Sequence, residues 1–152
     1  MIPFDFLICS ERSGSNLITK MLDSHPDVCG PSPSHLIRAS APQLYRYGDL
    51  GQDANWEALV SDVANLLRTK IAAWKSSVTA DEILQSVAGH RLSNLIRWIY
   101  GKEAKAHNKK RVFVKENHTY SFLAYLLGEF PKARFLTMII AFIVAKNQLI
   151  LR

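Results

Sequence analysis

The turn Ser10-Glu11-Arg12-Ser13-Gly14-Ser15-Asn16 concentrates groups that can hold an anion. A short apolar run, residues 4–9, precedes it. Leu17, Ile18, Met21 and Leu22 follow at helical spacing until His25-Pro26 stops the pattern. A strand, a tight polar loop and a helix in that order leave unpaired N–H groups at the positive end of a helix dipole, which is a natural phosphate cradle. Gly14 lets the backbone approach an anion closely, and Ser13, Ser15 and Asn16 add side-chain donors. Arg12 adds a fixed positive charge with a forked hydrogen-bonding geometry. The loop does not match G-x-x-x-x-G-K-[ST]: no Lys follows Gly14, and no Asp ends the third expected strand to hold magnesium. That argues against an ATPase or GTPase. A plain polar helix cap is the local alternative.

The elements that must position this loop can be read from periodicity. Residues 4–9 read as a mostly buried strand, and four prolines with Gly30, Gly48 and Gly51 make residues 26–52 irregular, with room for one short helix. Trp56, Leu59, Val60, Val63, Leu66, Leu67, Ile71 and Trp74 predict one long helix from Asp53. Thr79 and Glu82 match a capping box, Gly89 is a plausible stop for that helix, and Leu92, Leu95, Ile96 and Ile99 support another helix. Residues 111–115 read as a second strand, 120–130 as a helix closed by Pro131, and 134–138 as the start of a third strand. Strands alternating with helices imply a parallel sheet with helices packed on it, that is, an α/β fold. Residues 53–107 are expected to form a helical insertion between the first two strands.

The chain has 152 residues, 48% hydrophobic and 21% charged, with a net charge of +6. This is globular composition of one-domain size, and it excludes a disordered or collagen-like chain. The longest apolar stretch, residues 138–145, is too short to span a bilayer. No basic region opens the chain and Asp5 interrupts its first apolar stretch, so no secretory signal is expected. Two cysteines, Cys9 and Cys29, are too few for a disulfide scaffold and point to a reducing, cytoplasmic setting. No His/Cys spacing resembles a metal site. The positive charge favours an anionic partner. The run Lys102, Lys105, Lys109, Lys110, Arg111 and Lys115 lacks the interleaved aromatics of a nucleic-acid surface and reads as a solvated helix end and loop. Trp56 and Trp74 read as packing residues, while Trp98 fits either the core or an acceptor pocket.

Two blocks of sequence resemble the sulfotransferases that use 3′-phosphoadenosine 5′-phosphosulfate (PAPS). The first is Leu7-Ile8-Cys9-Ser10-Glu11-Arg12-Ser13-Gly14-Ser15-Asn16-Leu17-Ile18, followed by Met21-Leu22-Asp23-Ser24-His25-Pro26-Asp27-Val28. The second is Phe113-Val114-Lys115-Glu116-Asn117, then Leu126-Leu127, Phe130-Pro131 and Ala133-Arg134-Phe135. Both lie in family order, and together they cover most of residues 4–138. The resemblance implies a three-layer, P-loop-like parallel sheet flanked by helices, here incomplete, and an acceptor with a free hydroxyl or amine on a small molecule or glycan. It also implies that Arg12, Ser13, Gly14, Ser15, Asn16 and Leu17 bind the donor's 5′-phosphosulfate, with Arg12 stabilising charge on the bridging oxygen. Asn16 stands where the family usually has Thr, and Glu11 where Pro is common.

Transfer to a hydroxyl calls for a group that takes the acceptor's proton. His35 is the titratable group nearest to the position after the H-P turn where some relatives carry a Glu. Other relatives carry Lys-Thr-His at the end of the second strand, which Lys115-Glu116-Asn117-His118 partly resembles. His118 and Glu116 are therefore rival bases to His35, with Lys115 a sulfonate contact. His25 is expected to shape the turn with Pro26, and His90 and His107 carry no functional signal. The resemblance breaks after Met138. The family continues with an R-D-P-R-like motif and a later Ser that bind the 3′-phosphate, but residues 139–152 contain no Asp, Pro or Ser. The expectation is a single, partial domain over residues 1–152, truncated or frame-shifted after Met138. The competing readings are an inactive anion-binding fragment of the family and a basic interaction domain that binds no nucleotide.

Overall fold

The computed structural model describes residues 2–71 and 73–138. Its centre is a parallel sheet of four strands, β1 (Phe4–Ile8), β2 (Val28–Cys29), β3 (Arg111–Lys115) and β4 (Arg134–Thr137), in the order β2-β3-β1-β4. The central strand β1 pairs Phe6 with Val114 on one side and with Phe135 on the other. Phe4, Asp5, Phe6 and Leu7 are all buried, as expected of a strand covered on both faces. Phe6 packs edge-on against Phe130 at 5.1 Å and stacks on Phe135 at 5.5 Å, which ties the strand to the end of the last helix and to β4.

One buried carboxylate fastens three strands together. Asp5, only 4% exposed at its side chain, accepts from Arg134 at both oxygens (2.8 and 2.7 Å) and from Arg111 at 2.9 Å. The two-point contact with Arg134 gives this pair a fixed geometry, unlike the loose surface ion pairs that contribute little.

Six helices surround the sheet: α1 (Ser15–Asp23), α2 (Leu36–Ser40), α3 (Asp53–Lys70), α4 (Ala80–Ser86), α5 (Leu92–Ala106) and α6 (Leu123–Glu129). The apolar face expected on α3 is the buried one, with Trp56, Leu59, Val60, Val63 and Leu67 inward. The helix ends at Lys70, however, and Trp74 lies beyond it, buried and donating its indole N–H to the Ser32 carbonyl at 2.8 Å. A carbonyl partner in the proline-rich stretch fixes Trp74, so its helical spacing is incidental. The capping box of α4 forms in both directions between Thr79 and Glu82. The helix expected over 120–130 divides into a 3₁₀ turn, Thr119–Phe122, and α6.

The sequence reading has three strands, and the described residues form four. The additional strand, β2, is two residues long between Pro26 and Pro31, and it pairs Val28 with Arg111 and Cys29 with Val112. A pair of residues shows no alternation, so periodicity cannot reveal it. The helices α3, α4 and α5 accordingly fall between β2 and β3. Trp98 packs at the edge of the core and lines a cavity of about 830 Å³ with Ile2, Phe4, Val87 and Lys102, near the amino end of β1. Among the described residues no helix is long and apolar enough to cross a membrane.

Phe6 is fully buried among three aromatic neighbours. Phe6→Ala should therefore lower unfolding free energy by about 3–5 kcal/mol, read from urea denaturation midpoints.

Candidate functional site

In an open parallel sheet, ligands bind beyond the carboxyl ends of the strands, where neighbouring strands send their connections to opposite sides. Here that point lies between β1 and β3. The chain leaves β1 toward β2 on one side, and leaves β3 toward β4 on the other. A cavity of about 350 Å³ opens there, lined by Glu11, Arg12, Ser13, Gly14, Ser15, Asn16, Lys115 and Asn117.

The loop after β1 owes its shape to two left-handed residues, Arg12 (φ 56°) and Gly14 (φ 76°). Gly14 caps α1, and its carbonyl accepts from Leu17 N at 2.9 Å and Ile18 N at 3.3 Å. Among the described residues nothing accepts from the N–H groups of Gly14, Ser15 or Asn16, the donors a helix start leaves open. The Ser13 hydroxyl is buried without a partner among the described residues. Buried polar groups are otherwise almost always satisfied, so an open donor set around an unpaired hydroxyl is the arrangement an anion would complete. A Cβ added at Gly14 would lie 3.4 Å from the Met138 methyl group. Leu17 stands apart from its neighbours: its N–H is committed to Gly14, and its side chain is 63% exposed.

From β3 comes the second wall. Lys115 is buried but for 6% of its surface and donates to Asn117 Oδ1 at 2.8 Å, its ammonium facing the loop's cavity. The Glu11 carboxylate bridges the walls, accepting from Asn117 Nδ2 at 3.3 Å and lying 3.2 Å from His118 Nε2 and 3.8 Å from Arg38. His118 also holds Tyr120 OH at 2.8 Å through Nδ1. His118 thus belongs to the cavity's rim, already engaged on both ring nitrogens.

The remaining two candidates do not line the cavity: Glu116 follows Lys115 at the end of β3, and His35 is joined to it through α2. His35 caps α2 in a left-handed conformation (φ 59°), and its Nδ1 is buried without a partner among the described residues. Burial, with the nearby charges of Arg38, Lys70 and Lys115, pushes its pKa below the ordinary value and favours the neutral imidazole. Glu116 is 1% exposed, and burial pushes its carboxyl pKa up against the pull of donors from Arg38, Ile37, Tyr100 and Ser34. His25 has the local role expected of it, accepting from Asp27 N at 3.1 Å across the Pro26 turn. Cys29 is held as a thiol, its pKa pushed up to about 12 chiefly by burial. Among the described residues no His/Cys/Asp/Glu cluster could hold a metal ion.

A family model described as the sulfotransferase family matches residues 3–139. The chain belongs to the sulfotransferase family. Neither a curated protein nor a solved structure matches it significantly. The sheet flanked by helices is consistent with the P-loop-like fold of sulfotransferases, and the match spans both walls of the cavity. The expectations placed on residues 139–152, the missing 3′-phosphate motif among them, fall outside the described residues. Periodicity and motif missed Asn117, which lines the cavity, and Arg38, which approaches its Glu11. Asn117 carries a signal in hindsight, two residues after Lys115, whereas Arg38 is brought in only by the fold of the proline-rich stretch.

The depressed pKa of His35 has a sign that stability measurements can read. Between the folded value and about 6.5 for the unfolded chain, the unfolded state binds more protons. This group's contribution is therefore fully present above that window and lost as pH falls through the folded value. NMR titration should place the His35 midpoint below 6.5, and the stability difference between about pH 5 and pH 7.5 should shrink in His35→Asn.

Proposed function

We propose that this chain transfers a sulfuryl group from PAPS to a hydroxyl or amine acceptor. The observation that supports this most is the open donor set of Ser13, Gly14, Ser15 and Asn16, facing Lys115 and adjoining Arg12 across the carboxyl ends of β1 and β3. These residues suit a phosphosulfate, which needs several donors on its oxygens and fixed positive charge near the bridging oxygen. When bound, PAPS would supply the activated sulfuryl group.

The chain's own residues then have distinct tasks. Backbone N–H groups and the Ser13 hydroxyl orient the anion, and Arg12 and Lys115 stabilise the charge that grows on the leaving phosphate. His35, neutral near pH 7, is the base of this reading, the partly exposed ring rather than its buried Nδ1 being the side that can meet an acceptor. Glu116 has its carboxylate fully engaged with donors, and His118 holds Glu11 and Tyr120, so both give way to His35. The acceptor class, a small molecule or glycan, and a cytoplasmic setting with Cys9 and Cys29 as free thiols belong to the same reading.

Labelled PAPS offered with an acceptor panel, beside calorimetric binding of adenosine 3′,5′-bisphosphate, tests the proposal. Arg12→Ala should lower transfer about 10²–10³-fold, and His35→Ala about 10²–10⁴-fold with little change in bisphosphate affinity. Undiminished turnover in Arg12→Ala would overturn the loop assignment. Binding without transfer to any acceptor would favour the other reading, an anion-binding member of the family that does not turn over.

A further inference from the structure

Glu116 follows Lys115 at the end of β3, and the two neighbours serve different partners. Lys115 lines the anion cavity, while the Glu116 carboxylate is bonded to the segment that carries His35. Its Oε2 accepts from Arg38 N at 2.8 Å, and its Oε1 from Ile37 N at 3.2 Å, both in the first turn of α2. Ser34 Oγ and Tyr100 OH, each 3.2 Å from Oε1 and 2.9 Å from one another, complete the set, and Ser34 Oγ also accepts from Leu36 N at 3.1 Å. The residue bracketed by these contacts, with Ser34 before it and Leu36, Ile37 and Arg38 after it, is His35.

The bracket has an energetic purpose. A histidine at φ 59° is in a backbone region that L-residues avoid, and it stays there only if its flanks are held. No cap side chain holds α2 from within; its first N–H groups go instead to Glu116 and Ser34. Glu116 is itself fixed, its carbonyl accepting from Thr119 Oγ1 at 2.6 Å and from the Cys9 thiol at 3.9 Å. The chain of contacts therefore runs from the end of β1, through Glu116, to the His35 backbone.

We propose that Glu116 is a positioning residue: its buried carboxylate fixes the first turn of α2 and thereby sets where the His35 imidazole sits. The proposal rests on His35 being the base in the reading above, yet its structural half can be measured without turnover. The carboxylate accepts from Ser34, α2 and α5 and is not among the residues lining the cavity, so its effect on transfer runs through the segment it holds.

Glu116→Gln keeps the shape but turns an amide N–H₂ toward donors that need an acceptor. In this variant the loosened turn should relieve the burial that depresses His35, so its NMR titration midpoint moves back toward 6.5 and its ring shifts change, while bisphosphate affinity stays within about 2-fold, since the Arg12 loop is untouched. Transfer should fall to within about 3-fold of His35→Ala, and the double variant should be no slower than His35→Ala alone. A merely structural role would instead lower donor binding and transfer together and add to the His35→Ala loss. Should Glu116→Gln fail to fold, Tyr100→Phe removes one donor to the same carboxylate at nearly constant volume and should shift His35 in the same direction by less. An unchanged His35 titration in the variants that fold, or losses additive with His35→Ala, would overturn the proposal. If the wild-type chain transfers nothing to any acceptor, the sulfotransfer reading fails, and the His35 titration alone still decides whether Glu116 positions it.

Discussion

Everything in this molecule depends on β1 staying in register. A one-residue slip of a strand exchanges its two faces, which for β1 would push Phe4 and Phe6 out of their aromatic neighbours. Two arginines from different strands close on Asp5, and a carboxylate gripped at both oxygens by Arg134 and at one by Arg111 leaves no second position for the strand. With the register set, the loop after Ile8 must emerge beside the end of β3, and the anion cavity exists because those two ends are adjacent. The ion pair has a geometric role at least as important as its energy. It is a partly exposed cluster whose Coulombic gain is screened, but whose bidentate fit is specific.

Backbone strain is gathered around this cavity. Four described residues other than glycine have positive φ, and three of them, Arg12, His35 and His118, are candidates of the sequence reading. Such conformations persist only where the surroundings over-determine them, and here each is held differently. Arg12 lies between the buried end of β1 and the α1 cap, His35 is bracketed by Ser34 and Glu116, and His118 is tied to Glu11 and Tyr120. The sheet supplies the rigidity, and these strained residues lie in the loops that follow the carboxyl ends of β1, β2 and β3.

The sequence made some of this legible and hid the rest for identifiable reasons. Strand β1, the α1 start and the α3 face are local patterns, and Phe4–Ile8, Gly14 and Trp56 through Leu67 lie where periodicity puts them. The sequence reading expects Arg12 and the serines in the site from their strand–loop–helix context, and Lys115 through the resemblance to sulfotransferases. β2 escaped because two residues carry no period, and the end of α3 was overrun because Trp74 keeps a helical spacing after the helix has stopped. Glu116 looked like a base because residue type is visible in a sequence and burial is not. Only the fold shows that its lone pairs are taken by Ile37, Arg38, Ser34 and Tyr100.

The clamp on Asp5 also dictates when the site can form. Its partners lie 106 and 129 residues further along the chain, so the central strand is made early and stays unpaired until nearly all the described chain exists. Closing loops of that length is slow, and order of this kind favours folding only after the distant strands arrive. During synthesis the apolar segment Phe4–Ile8 is therefore an open template, exposed for the time needed to add about a hundred residues, roughly 5–20 s at ordinary elongation rates. The helices between β2 and β3 can form on local signals within that interval, but the anion loop cannot. The Arg12 loop is therefore made well before the end of β3 that supplies the other wall of its cavity.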